Sequence, residues 1–93
     1  MTNKYEAAIV YSVAGGDEAV AALKEKFNDL IAKNGEVENV DDWGKRRLAY
    51  PINDETEGAY VFTTFTASAE FPAELERVAG ITDGVLRAMV IKK

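Results

Sequence analysis

A switch between two hydrophobic periods limits this chain to few folds. From Lys4 to Val13 the residues alternate, with Tyr5, Ala7, Ile9 and Tyr11 on one side and Glu6, Ala8, Val10 and Ser12 on the other. That period of two marks a strand. After the turn "AGGDE" the spacing becomes three-and-four, placing Val20, Leu23, Phe27, Leu30 and Ile31 on one side of a helix predicted over Glu18–Lys33. Asp17 is placed to cap its start, and Asn34-Gly35 to end it in left-handed backbone. "EVENVDDWGKRRLAYPI" reads as a polar edge strand, bulged or bent at Gly44 and closed by Pro51. The polar turn "NDETEG" leads into a third strand, where Tyr60, Phe62 and Thr64 alternate with Val61, Thr63 and Phe65. Pro72 then opens a short helix with an apolar stripe of Leu75, Val78 and Ala79 ending at Gly80, and "GVLRAMVIKK" supplies a fourth strand.

The order strand, helix, strand, strand, helix, strand predicts an α+β, ferredoxin-like split βαβ fold. Two helices cover one face of a four-stranded antiparallel sheet, the first and third strands are central, and the second and third form a hairpin. With 93 residues the chain has material for one domain spanning 1–93.

Composition narrows the chemistry. There are no cysteines and no histidines, which removes disulfides, thiolate nucleophiles, imidazole bases and the usual zinc or iron ligands. No metal site, no catalytic residue and no cofactor are expected. The loop "SVAGGDEA" lacks the paired cysteines of a metal carrier and the basic cradle of an acyl phosphatase, and no Gly-Lys-Ser/Thr follows a glycine run. The start "MTNKYEAAIVYSV" carries no signal core, and no apolar run approaches the ~18 residues of a membrane span. A cytoplasmic location is expected.

The formal net charge is −5, against the basic balance of most nucleic-acid-binding domains. The charges are segregated, however: acids dominate 17–42 and 53–76, and cations gather at 45–47 and 87–93. Of the aromatics on the two central strands, alternation sends about half into the core, so a base-stacking surface is not indicated. Asp41 and Asp42 point to opposite faces of their strand and cannot share a proton easily. "DDWGKRRLAYPI" is therefore read either as solvated charges that oppose edge-to-edge pairing of the strand or as an edge-strand patch that docks a partner, two roles that are compatible.

"KYEAAIV", "NGEVENVDDWGKRRLAYPI", "GAYVFTTF" and "LRAMVIKK", in this order and spacing, resemble the bacterial small-subunit ribosomal protein number six family. The contiguous block from Gly44 through Arg46, Arg47, Leu48, Ala49, Tyr50 and Pro51 to Ile52 is the specific part. The resemblance implies a non-catalytic ribosomal component that pairs with small-subunit ribosomal protein number eighteen and joins the central domain of small-subunit rRNA. Carried over by position, Asp41, Trp43, Arg46, Arg47 and Tyr50 would meet the partner protein. Lys4, Arg87, Lys92 and Lys93 would meet RNA. The chain departs from the family where two basic residues often precede the core of the fourth strand; Leu86-Arg87 stands there instead. The alternative is a small ferredoxin-like ligand-sensing domain or enzyme acting as a dimer; a protein adaptor without an RNA role is a third.

Overall fold

The computed structural model describes residues 2–52 and 55–93; Met1 and the predicted turn residues Asn53 and Asp54 lie outside the described residues. Six elements follow in the predicted order: β1 (Thr2–Ser12), α1 (Asp17–Asn34), β2 (Gly35–Ile52), β3 (Glu55–Ser68), α2 (Phe71–Gly80) and β4 (Val85–Lys92). The strands form one antiparallel sheet in the order β2-β3-β1-β4. Thus β1 and β3 are central, as their alternation requires, and β2 and β4 are the edges.

One face of the sheet carries the core. Ile9 and Tyr11 of β1 and Phe65 of β3 are buried there with Phe27 and Ile31 of α1 and Leu75 of α2. The aromatic rings pack at tilted or edge-on angles, Tyr5 to Phe65 at 5.7 Å between centroids and Phe65 to Phe71 at 5.8 Å, as ring quadrupoles favour. The helical positions Val20, Phe27 and Ile31 are all buried, so the three-and-four spacing of α1 points where it was expected to point.

Both ends of α1 differ from expectation. Asp17 is the first helical residue and Gly16 stands at the cap, with no side-chain capping bond. Asp17 instead places its charge in the first turn, where the helix dipole favours an anion. At the other end Gly35 is extended, with φ −173° and not left-handed, because the chain passes from α1 straight into β2. Asn34 donates its side-chain amide to the Leu30 carbonyl at 2.8 Å and so satisfies one carbonyl of the last turn.

Candidate functional site

Strand alternation leaves the second face of the sheet without helices. Ala8 and Val10 of β1, Tyr60 and Phe62 of β3, and Arg87 and Met89 of β4 line a shallow depression there, about 240 Å³ in volume. The signal was present in the sequence: β1 and β3 carry apolar residues on both faces, which a strand covered on one side only does not need.

The β2 edge of this face is shaped at Gly44. The pairing with β3 slips between Asp42 and Gly44, and Gly44 has φ 72°, a conformation glycine adopts without steric cost. The bulge throws the extra residue, Trp43, onto the open face, where its ring lies 4.6 Å from that of Phe62 and its Nε1 donates to Asp41 at 2.9 Å. The indole remains about half exposed, at 49%. Asp42 turns the other way. It accepts a hydrogen bond from Lys24 Nζ of α1 at 2.6 Å and another from the Gly44 amide at 2.9 Å. The two carboxylates thus take opposite faces and different jobs, one orienting Trp43 and the other tying β2 to α1.

The Lys24 ammonium, opposed by partial burial and aided by the Gly44 amide, holds the Asp42 carboxyl below its ordinary pKa of 3.8. The Asp42 charge in turn adds to burial in raising the pKa of the Tyr11 hydroxyl. Because the Asp42 pKa is lower folded than unfolded, its contribution to stability is complete above the unfolded value and is lost as pH falls through the folded one. Urea titrations at stepped pH should therefore show the native midpoint dropping as pH falls below about 4, and Asp42→Asn flattening that drop. An unchanged slope in the variant would remove Asp42 from the acid response.

Beyond the bulge the register sets Arg46 opposite Gly58 and Arg47 opposite Glu57, so the two arginines face opposite sides of the sheet. Only Arg46 shares the face of Trp43 and Asp41. The end of β2 then bends across this face. Leu48 is buried over Gly58, where a Cβ would lie within 3.4 Å of it and only 2.5 Å from the Val10 side chain. Further on, the Tyr50 hydroxyl accepts a hydrogen bond from Arg87 at 3.0 Å. Tyr50 and Arg87 belong to opposite edge strands, so only this bend can bring them together.

The four residues matched to the family's basic positions do not form one patch. Lys4 pairs with Glu38 at 3.2 Å and Lys93 with Glu6 at 3.3 Å, both on the open face. Lys92 is opposite Tyr5 and takes the helix side. Arg87, among the described residues, makes no ion pair. Arg87 lines the depression, Trp43 packs against its Phe62 wall, Tyr50 bonds to Arg87, and Arg46 lies on the same face. Tyr60, Phe62 and Met89 complete its lining; the sequence marks Tyr60 and Phe62 only as central-strand aromatics and does not single out Met89.

Fold and face together define a ferredoxin-like domain with one helix-covered side and one open side carrying exposed aromatics, cations and an apolar floor. The sequence pattern of ribosomal protein S6 matches residues 4–92. The small ribosomal subunit protein bS6 of Clostridium perfringens strain 13 is 50% identical over 91 residues, covering 97% of this chain and 96% of that one. The bS6 protein of Clostridium novyi strain NT is 51% identical over 88 residues, covering 94% and 93%. The crystal structure of 30S ribosomal protein S6 from Thermotoga maritima superposes with a TM-score of 0.92 at 23% identity, covering 100% of this chain and 89% of that one, a likeness of fold. The chain belongs to the ribosomal protein S6 family. Ribosomal proteins of this family are structural and not enzymes, which sets aside the enzymatic alternative.

Proposed function

We propose that this chain is a structural component of the small ribosomal subunit in the cytoplasm. In this reading it acts as one domain over residues 1–93 and joins the central domain of small-subunit rRNA together with ribosomal protein number eighteen. What supports the reading most is family membership over residues 4–92 in a chain whose open face carries Asp41, Trp43, Arg46 and Tyr50 together with an apolar floor. An apolar centre with aromatic and arginine anchors and a charged rim is the usual anatomy of a protein interface. Arg47, turned to the other face, is set apart from this group.

On this proposal Arg87, Lys4, Lys92 and Lys93 neutralise rRNA phosphates, and a basic partner offsets the −5 net charge of the chain. The pair Lys4–Glu38 is exposed and Lys93–Glu6 partly so, and ion pairs open to solvent are weak, so both yield readily to a phosphate.

Calorimetric titration into protein eighteen, with and without a central-domain rRNA fragment, tests both halves. Arg46→Glu is expected to weaken partner binding about tenfold or more, the effect of losing an arginine anchor. Arg47→Glu should change it by less than about threefold. With about three of these four cations on phosphates at once, log affinity for the RNA should fall with log salt at a slope of roughly −2 to −3. Equal effects of the two arginine variants would overturn the face, and a flat salt response the RNA contacts.

A further inference from the structure

The second edge of the sheet presents a problem that the proposed function does not address. β2 is blunted as an edge by three slips in its pairing with β3. β4 is less so: its one slip falls at Leu86, from Arg87 to Lys92 it pairs with β1 without interruption, and apart from the cations Arg87 and Lys92 it is apolar, with no acidic residue, proline or glycine. A straight, apolar, unpaired edge invites another strand. Its Met89 and Ile91 are 42% and 49% exposed on the open face.

The Lys93 amide donates inward to the Lys4 carbonyl at 2.8 Å. Three residues earlier the Val90 amide points out of the sheet, where Glu76 of α2 accepts it at 3.1 Å. Antiparallel alternation sends the Ala88 and Lys92 amides outward with it. Among the described residues, the middle one of these three donors is the one a side chain covers. A carboxylate there also occupies the place an incoming strand's carbonyl would need.

We propose that Glu76 is an edge guard that keeps two copies of this chain from joining β4 to β4. The second copy is the occupant that this edge fits. A two-fold axis through Met89 lets each Val90 amide reach the Ala88 carbonyl of the second copy and brings the two Met89 side chains together. In that register Arg87 faces Ile91 of the second copy. Moving the axis to Val90 would set Arg87 against Lys93, so charge selects the first register. The contact is isologous and closes on itself as a dimer, and it adds two Met89 and two Ile91 side chains to one apolar strip. With the guard in place, each copy must give up a hydrogen bond to a charged acceptor before the strands can meet.

Sedimentation equilibrium on the full chain, across a concentration series from micromolar to millimolar, reads the guard directly. Losing one such bond per copy corresponds to about tenfold each, so Glu76→Ala is expected to tighten dimerisation roughly a hundredfold over wild type. Glu76→Gln keeps an acceptor oxygen and should stay near wild type. In the alanine variant, Met89→Lys places like charges on the axis and should restore the monomer. Hydrogen exchange should slow at the amides of Ala88, Val90 and Lys92 in the dimer. A folded Glu76→Ala chain that stays monomeric overturns the proposal. So does a Gln variant that associates as strongly as the Ala variant, an association that Met89→Lys leaves intact, or protection that appears on β2 instead.

Discussion

Truncating Phe65 to alanine is expected to cost about 3–5 kcal/mol, which is the range for large-to-small changes of a buried aromatic. The ring has no exposure and lies on the central strand β3 between Tyr5 and Phe71, so neither neighbour can close the void without leaving the sheet or the helix it belongs to. Domains of this size are stable by about 5–15 kcal/mol, so the variant should lose about a fifth of its stability or more. In urea the midpoint should fall by roughly 1–5 M. Phe62→Ala, three residues away on the open face, is the control. That ring is only partly buried, and its loss should cost under about half as much. Similar costs at both positions would mean that the open face is as tightly packed as the core.

The second large effect is expected at Gly35, for a different physical reason. The backbone there is extended, so alanine meets no dihedral penalty. The obstacle is contact: a Cβ would sit 2.1 Å from the Thr66 carbonyl oxygen and 2.9 Å from the Ala67 Cβ. A backbone oxygen of a central strand cannot step aside alone, and relief requires moving the start of β2 away from β3. Gly35→Ala should destabilise by about 2–3 kcal/mol or more, the scale of overpacking in a filled interior. Gly80→Ala makes the contrast. A Cβ there meets open space at the end of α2, and alanine should be neutral or stabilise by up to about 1 kcal/mol through helix propensity. Urea midpoints shifting in the same direction in both variants would refute the steric account of Gly35.

These two glycines show where the sequence speaks and where it does not. Alternation in β1 and β3 and the three-and-four spacing of α1 are repeated signals, each residue restating its neighbour, and they place the bodies of these three elements correctly. Asn34-Gly35 is a single local cue that resembles a left-handed helix stop. What fixes Gly35 is instead the approach of Thr66, a residue far along the chain. The same holds at the candidate site. Gly44 and its bulge were legible because glycine inside a strand pattern has few uses. The separation of Arg46 from Arg47 was also available from the period of two, yet reading the cations as one run hid it. The Lys24–Asp42 tie and the meeting of Tyr50 with Arg87 depend on how a helix lies and how a hairpin bends, and no spacing in the chain encodes either.

The strand order carries a consequence for how this protein comes into being. β1 is made first but lies between β3 and β4, both made later, whereas β2 and β3 are neighbours in the chain as well as in the sheet. The β2–β3 hairpin can zip by itself, but β1 must wait, unsatisfied on one side, until the eight-residue β4 docks. Pairings of such long sequence separation are slow to close because the loop entropy is lost before the contacts form. The sheet is therefore closed only when β4 docks, and a folding intermediate without it would hold a central strand open along one side.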